Sequence, residues 1–148
     1  MEILEVRRRS GALLEQLLEL WERSVRASHT FLSPAEIAAI RPDVPGALTQ
    51  VPHLVIARER ETPLGFLGAE GRRLEMLFLE PEARGRGIGT ALVRYALDAY
   101  SLREVTVNEQ NIAARGFYER LGFRTVRRTP LDEQGRPYPL LYMELPEP

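Results

Sequence analysis

Cysteine and lysine are missing from the sequence, and its 20 basic residues are all arginines. Without cysteine, the chain has no disulfide, no thiolate metal ligand and no cysteine nucleophile. Without lysine, it has no side-chain amine that could form a Schiff base or carry an acyl group. We therefore predict no metal site, and we expect any group transfer to be direct, with a serine ester as the remaining covalent route.

Long apolar runs are missing too, since no stretch approaches the roughly 18 residues of a membrane span. The N-terminal MEILEVRRRSG carries its charges after its short apolar run, which is the reverse of a secretory signal. We therefore expect a cytoplasmic protein without a membrane partner. The formal net charge is −1 and the arginines are scattered, so no nucleic-acid partner is expected either.

What is present is typical of a globular chain, with 44% apolar and 28% charged residues, and the length predicts one domain over residues 1–148. Hydrophobic periodicity predicts the order β-α-α-β-β-β-α-β-α-β-β. The predicted strands are 3–8, 53–59, 64–70, 74–80, 104–108, 123–129 and 139–145, and the predicted helices are 11–28, 34–41, 88–100 and 111–121. Residues 42–52, with three prolines and one glycine, are predicted to be a loop. This order favours an α/β (α+β) fold, a mixed and mostly antiparallel sheet with helices on both faces.

One βαβ unit stands out within this order. Strand 74–80, helix 88–100 and strand 104–108 follow one another, so the two strands are predicted to be parallel neighbours. Ligands in such units bind beyond the carboxyl ends of the strands, at the N-terminus of the helix. The turn between residues 80 and 88 is therefore the first place to look for a site.

That turn contains RGRGIGTALV, residues 84–93, with three glycines where a helix must begin. Glycine costs a helix interior about 0.5–1 kcal/mol relative to alanine, so its repeated use here calls for a reason. Glycines let the backbone curl around an anion, and the helix dipole and Arg84 and Arg86 favour negative charge. A P-loop would need a lysine, and a dinucleotide fingerprint starting at Gly85 would need glycine at position 90, which is threonine.

Two spacings in the chain resemble those of the GNAT superfamily of N-acyltransferases. The first is R-x-x-G-x-G at Arg84, Gly87 and Gly89, which is similar to the family's acyl-CoA pyrophosphate loop. The second is N-x-x-A-x-x-x-Y-x-x-x-G-F, found here at Asn111, Ala114, Tyr118, Gly122 and Phe123. The element order resembles the family over nearly the whole chain, and RASHTFLS and GRPYPLL resemble a YjaB-like branch of bacterial acetyltransferases.

This resemblance implies a fold and a cosubstrate. The GNAT sheet splays between its fourth and fifth strands, here 74–80 and 104–108, and acetyl-CoA lies in the gap. The residues that the resemblance assigns to acetyl-CoA binding are Leu77, Phe78, Leu79, Arg84, Gly85, Arg86, Gly87, Ile88, Gly89, Thr90, Asn111, Ala114 and Tyr118. The acyl carbonyl would accept a hydrogen bond from a backbone N–H near Leu77, which would stabilise the developing oxyanion.

The resemblance also implies catalytic roles. Tyr118 lies two helical turns from Asn111 on the same face and would protonate the departing thiolate. With ordinary pKa values for tyrosine and a thiol, that proton transfer is uphill by roughly 2 kcal/mol. The amine acceptor must lose a proton, and the candidate bases are Glu75, a carboxylate in an apolar strand, and His29, in the loop after the first helix.

Several alternatives remain open at the level of sequence. Tyr118 can be a core residue, Glu75 can face solvent at a sheet margin, and His29 can be a packed loop residue. The whole chain can be a catalytically silent acyl-CoA-binding module, or less plausibly a nucleic-acid-binding domain. The sequence does not identify the acceptor, which is a small-molecule or peptide amine. An aromatic wall of the acceptor pocket is suggested by Trp21, Phe31, Tyr138 and Tyr142. A monomer and a homodimer are equally compatible with the sequence.

Overall fold

The computed structural model describes residues 1–28 and 30–146. The strands in this part of the chain are β1 Glu2–Glu5, β2 His53–Glu59, β3 Thr62–Glu70, β4 Arg73–Leu79, β5 Glu104–Asn108, β6 Arg124–Thr129 and β7 Leu140–Glu144. The helices are α1 Gly11–Ser28, α2 Pro34–Ile40, α3 Val44–Gln50, α4 Ile88–Tyr100 and α5 Ile112–Arg120. Short 3₁₀ turns occupy Arg41–Asp43 and Pro81–Ala83. None of the described helices is long and apolar enough to cross a membrane.

The strands form one sheet in the order β1-β2-β3-β4-β5-β7-β6, and β4–β5 is its parallel pair. This confirms the predicted βαβ unit and the mixed, mostly antiparallel sheet. The ladder between β4 and β5 contains only the pairs Arg73↔Glu104 and Leu74↔Val105. Beyond Leu74 the two strands therefore diverge, and the sheet has the predicted gap between its fourth and fifth strands.

Apolar residues pack on both faces of the sheet, as predicted. On one face, α1, α2 and α3 cover the β2 and β3 side chains around Leu54 and Phe66, which are fully buried. On the other face, α4 and α5 pack against Val55, Leu67 and the inner residues of β5 and β7. Alternating side chains of the same strands thus enter two separate cores.

The prediction of a loop over residues 42–52 is wrong. Arg41–Asp43 is a 3₁₀ turn and Val44–Gln50 is the helix α3. The prolines do not prevent this, because Pro42 and Pro45 lie in the first turns, where a helix has no use for the missing N–H. The preceding capping box of Ser33 and Glu36 is present as predicted. The first strand is shorter than predicted and ends at Glu5.

A β-bulge interrupts β4 just before the strands diverge. Gly68 of β3 faces Met76 and Ala69 faces Leu74, so Glu75 is the extra residue without a partner in β3. A bulge changes the alternation of side chains along a strand. Leu74 therefore enters the core beneath α4 and α5, whereas Met76 and Phe78 pack on the α1 side.

Candidate active site

A cleft of about 380 Å³ opens where β4 leaves β5. Its walls come from the end of β4, the glycine-rich turn, the first turn of α4, one face of α5 and the second half of α1. The residues that line it are Ser24, Ser28, Leu77, Phe78, Leu79, Arg84, Gly85, Gly87, Ile88, Gly89, Thr90, Asn111, Ala113, Ala114, Phe117, Tyr118 and Arg120. The fold thus brings together every residue that the sequence assigns to acetyl-CoA binding, with the exception of Arg86.

The glycines of the turn have two different structural roles. Gly85 and Gly87 both have φ of +78°, and a Cβ on either would meet no atom within 4 Å, so each faces open space. Gly87 is the N-cap of α4 in the left-handed conformation and caps the helix with no side chain. The first turn of α4, whose N–H groups have no partner within the helix, lines the cleft, and such a helix N-terminus is suited to an anion. Gly89 instead faces packed side chains, and a Cβ there would be in ordinary van der Waals contact with the Phe117 ring at 3.4 Å.

The two arginines of the turn point in different directions. Arg84 lines the cleft and donates hydrogen bonds to the backbone oxygen of Ser24 at 3.1 Å and to its Oγ at 3.3 Å. Arg86 forms an ion pair with Glu59 at the end of β2. In this structure a carboxylate on a neighbouring hairpin holds the Arg86 guanidinium, and the assignment of Arg86 to the cofactor stays a prediction.

Asn111 and Tyr118 are positioned by the ends of α5. The Asn111 Oδ1 accepts a hydrogen bond from the Ala114 N–H at 3.1 Å, as expected of an N-cap. Tyr118 is 5% exposed, and its ring packs edge-on against Phe117 and Phe123 with centroids 5.0 and 5.6 Å away. Burial raises the pKa of Tyr118. No described residue forms a hydrogen bond with its hydroxyl, which leaves the proton available to a ligand in the cleft.

Glu75 lies beside the cleft and is not part of its lining. Its side chain is 33% exposed, with an oxygen 3.6 Å from the Arg73 Nε. Burial raises the pKa of Glu75, Arg73 opposes that shift, and the charges of Glu70 and Glu133 add to it. A carboxylate in this state can accept a proton above the usual acidic range. The other candidate base, His29, lies outside the described residues.

The four aromatic residues that were predicted to form a wall have different surroundings. Phe31 and Tyr138 join the segment after α1 to the β6–β7 turn, with ring centroids 6.3 Å apart. The Arg127 guanidinium lies 3.8 Å from the centre of the Tyr142 ring. Trp21, in contrast, is 6% exposed and belongs to the core beneath α1. Trp21 is therefore a core residue and not part of the predicted aromatic wall, while Phe31 and Tyr138 do lie near each other.

Sequence reasoning missed the contributions of α1 and of the outer half of α5. Ser24 and Ser28 line the cleft from α1, and Phe117 and Arg120 line it from α5. Ser24 was detectable as a polar residue on the apolar face of α1, since it falls one turn after Leu20 and Trp21. Arg120 was detectable from its spacing, because residues 113, 117 and 120 share a helix face.

A splayed mixed sheet with an anion-binding helix N-terminus in the gap defines the acyl-CoA N-acyltransferase class. The family profile described as acetyltransferase (GNAT) domain matches residues 22–142, and the chain belongs to this family. Over 144 residues the chain is 38% identical to the peptidyl-lysine N-acetyltransferase YjaB of Salmonella typhimurium, which covers 97% of this chain and 99% of that one.

Solved structures agree with this assignment. The solution structure of apo-form YjaB from Escherichia coli aligns with a TM-score of 0.85 at 38% identity, covering 97% of each chain. The PaiA N-acetyltransferase of Thermoplasma acidophilum, solved in complex with coenzyme A, aligns with a TM-score of 0.73 and covers 99% of this chain and 100% of that one. At 21% identity the second likeness shows a shared fold. The protein is thus an N-acetyltransferase of the GNAT family.

Proposed function

We propose that this protein transfers the acetyl group of acetyl-CoA directly to the side-chain amine of a lysine in a peptide or protein. The similarity to enzymes named as peptidyl-lysine N-acetyltransferases supports this acceptor class. The cytoplasm is the expected compartment, and a monomer or a homodimer would serve equally well.

The divergence of β4 from β5 is the observation that carries the proposal. After Leu74, β4 has no ladder to β5, so the backbone groups of its second half that face the gap lack a strand neighbour. The amides of the pantetheine arm would take the place of that neighbour along Leu77, Phe78 and Leu79. The acyl carbonyl would then accept a hydrogen bond from an N–H near Leu77, which stabilises the oxyanion as it forms.

The chemistry follows from this placement. The neutral amine attacks the thioester carbon, the new C–N bond forms, and the C–S bond breaks as the tetrahedral intermediate collapses. The thiolate takes a proton from Tyr118 or from water, and the amine gives its proton to a base. Deprotonating a lysine at pH 7 costs about 4.6 kcal/mol, so a base or a water relay beside the cleft is needed. Glu75 is our candidate.

Direct transfer predicts a ternary complex. With a single-lysine peptide whose N-terminus is blocked, initial rates at varied acetyl-CoA and peptide should give intersecting lines. The matched control is the same peptide with norleucine in place of lysine, which should accept no acetyl group. Parallel lines, or an acetyl group on the enzyme after incubation with acetyl-CoA alone, would contradict direct transfer. Tight CoA binding without transfer to any amine would instead identify a silent binding module.

If Glu75 is the base, kcat should fall as the pH is lowered, which gives its pH profile an acidic limb. Activity needs its carboxylate ionised, and because burial raises the pKa of Glu75, the fall in kcat should begin at a higher pH than for an ordinary glutamate. Glu75→Gln should lower kcat by about 10²-fold at neutral pH and abolish that limb. Glu70→Gln is the control, because Glu70 raises the pKa of Glu75, and its removal should move the limb to lower pH at unchanged maximal kcat. A limb that survives in Glu75→Gln would assign it to another group.

A further inference from the structure

Part of the sheet, next to the gap between β4 and β5, has a face that no described helix covers. The buried residues of β5 and β7 enter the core beneath α4 and α5, so the residues between them lie on the opposite face. Among the described residues, the core beneath α1, α2 and α3 contains none from β5, β6 or β7. We call this surface, formed by the side chains of β5, β7 and β6 that surround Thr106 and Tyr142, the open face.

The open face adjoins the candidate base. Thr106 is the first residue of β5 beyond the short ladder to β4, and Tyr142 is its partner in β7. Arg73 of β4 donates a hydrogen bond from its Nη2 to the Thr106 Oγ1 at 2.7 Å, and its Nε lies 3.6 Å from a Glu75 oxygen. Its guanidinium carbon lies 5.9 Å from the centre of the Tyr142 ring. A peptide whose lysine reaches Glu75 therefore has the open face beside it.

A β-bulge in β6 places Arg127 on the open face. Thr125 faces Met143 and Arg127 faces Tyr142, so Val126 is the extra residue without a partner in β7. The bulge changes the alternation of side chains along β6, and the Arg127 guanidinium lies 3.8 Å from the centre of the Tyr142 ring. Such a cation–π contact uses no hydrogen-bond acceptor, so the N–H donors of Arg127 can still bind an anion.

Arg127 differs from neighbouring arginines in its electrostatic partners. Arg73 pairs with Glu133, and Arg128 pairs with Glu109. Arg127, in contrast, is exposed and forms no ion pair with any residue that the structure describes. An arginine that is held in place by an aromatic ring and lacks a carboxylate partner is suited to an anionic group of a ligand.

A lysine with acidic neighbours complements these charges. Its amine would lie at the Glu75 carboxylate, and an acidic side chain would lie at the Arg127 guanidinium. The remaining charges of the open face lie toward its other end, where Arg124 and Glu104 are the strand partners of Glu144. We propose that Arg127 binds a carboxylate within about two residues of the acceptor lysine, so that the enzyme prefers acidic peptides over neutral ones. This inference rests on the proposed function and adds a sequence preference to its acceptor class.

Steady-state acetylation of two peptides with blocked N-termini tests this proposal. One peptide contains Glu-Glu-Lys-Glu-Glu, and the other contains Gln-Gln-Lys-Gln-Gln in the same flanking sequence. The wild-type enzyme should have a kcat/KM about three- to fivefold higher for the acidic peptide, the upper range for one exposed ion pair, and the difference should lie in KM. Arg127→Gln should bring the ratio of the two kcat/KM values close to one. The wild-type ratio should also fall as salt rises, because the pair is open to solvent.

Arg128→Gln is the matched control, since it removes the same charge from the next residue of β6, whose partner Leu141 lies on the opposite face of the sheet. It should keep the wild-type ratio, and thermal unfolding checks that both variants are folded. Equal kcat/KM of the wild-type enzyme for the two peptides would overturn this proposal alone. The same holds for an Arg127→Gln enzyme that keeps the preference or an Arg128→Gln enzyme that loses it. A wild-type enzyme that acetylates neither peptide would overturn the proposed function itself.

Discussion

Tyr118→Phe should lower kcat by about 10²-fold and leave the affinity for acetyl-CoA nearly unchanged. The substitution keeps the ring, which is 5% exposed and packs against Phe117 and Phe123, and removes only the hydroxyl. That hydroxyl forms no hydrogen bond with a described residue, so its loss leaves no group of the protein unpaired. A fall in kcat would therefore result from the loss of the proton that Tyr118 donates, and not from a change in the packing of the core.

The expected residual rate follows from the electrostatics of the site. Burial raises the pKa of Tyr118, which makes proton transfer to a thiolate more uphill than the roughly 2 kcal/mol given by ordinary values. Water can therefore replace the phenol in part, and the variant should be slow but not inactive. Because its pKa is raised, Tyr118 stays protonated over the pH range in which the enzyme can be assayed. Its ionisation should therefore cause no fall in kcat below about pH 10.

Tyr100→Phe is the matched control for this measurement. Burial and a hydrogen bond to Glu5 raise the pKa of Tyr100 as well, but this tyrosine lies at the far end of α4 and does not line the cleft. Its substitution should alter stability and leave kcat near that of the wild type. Unchanged kcat for Tyr118→Phe, measured where chemistry limits the rate, would remove Tyr118 from the mechanism and leave it as a core residue.

The elements around the gap were predictable because their boundaries are set by local chemistry. Asn111 caps α5 through its own side chain, and Gly87 begins α4 with a backbone conformation that other residues rarely adopt. Pro81 ends the strand before the turn. Each of these signals acts over three or four residues, so a reading of the sequence alone can locate it.

The remaining features depend on contacts between distant segments. Arg86 pairs with Glu59, a residue 27 positions away, and no local pattern predicts that the two lie close together. The bulge at Glu75 arises from the register of β3 against β4, which alternation along a single strand does not encode. The helix α3 forms from a segment rich in prolines because Val44 and Leu48 are buried beneath α1, a tertiary contribution that outweighs weak local propensity.

Gly87→Val should weaken coenzyme A binding by at least about 10²-fold. Gly87 has φ of +78° and its Cβ position faces open space in the cleft, so a valine there would place two methyl groups in front of the first N–H groups of α4. Those groups carry the positive end of the helix dipole, and an anion can use them only at hydrogen-bond distance. A β-branched residue also resists the left-handed conformation, which would turn the loop away from the anion.

Gly71→Val separates these effects from a general loss of stability. Gly71 lies in the turn between β3 and β4, also has a positive φ, of +59°, and has no atom within 4 Å of its Cβ position. It does not line the cleft, so the valine should impose a similar conformational strain, of about 1–2 kcal/mol, with no effect on the ligand. Calorimetry on the two variants, with thermal unfolding of each, should therefore show comparable losses of stability but a loss of coenzyme A affinity for Gly87→Val alone. If Gly87→Val binds coenzyme A as tightly as Gly71→Val does, the pyrophosphate does not lie on this turn.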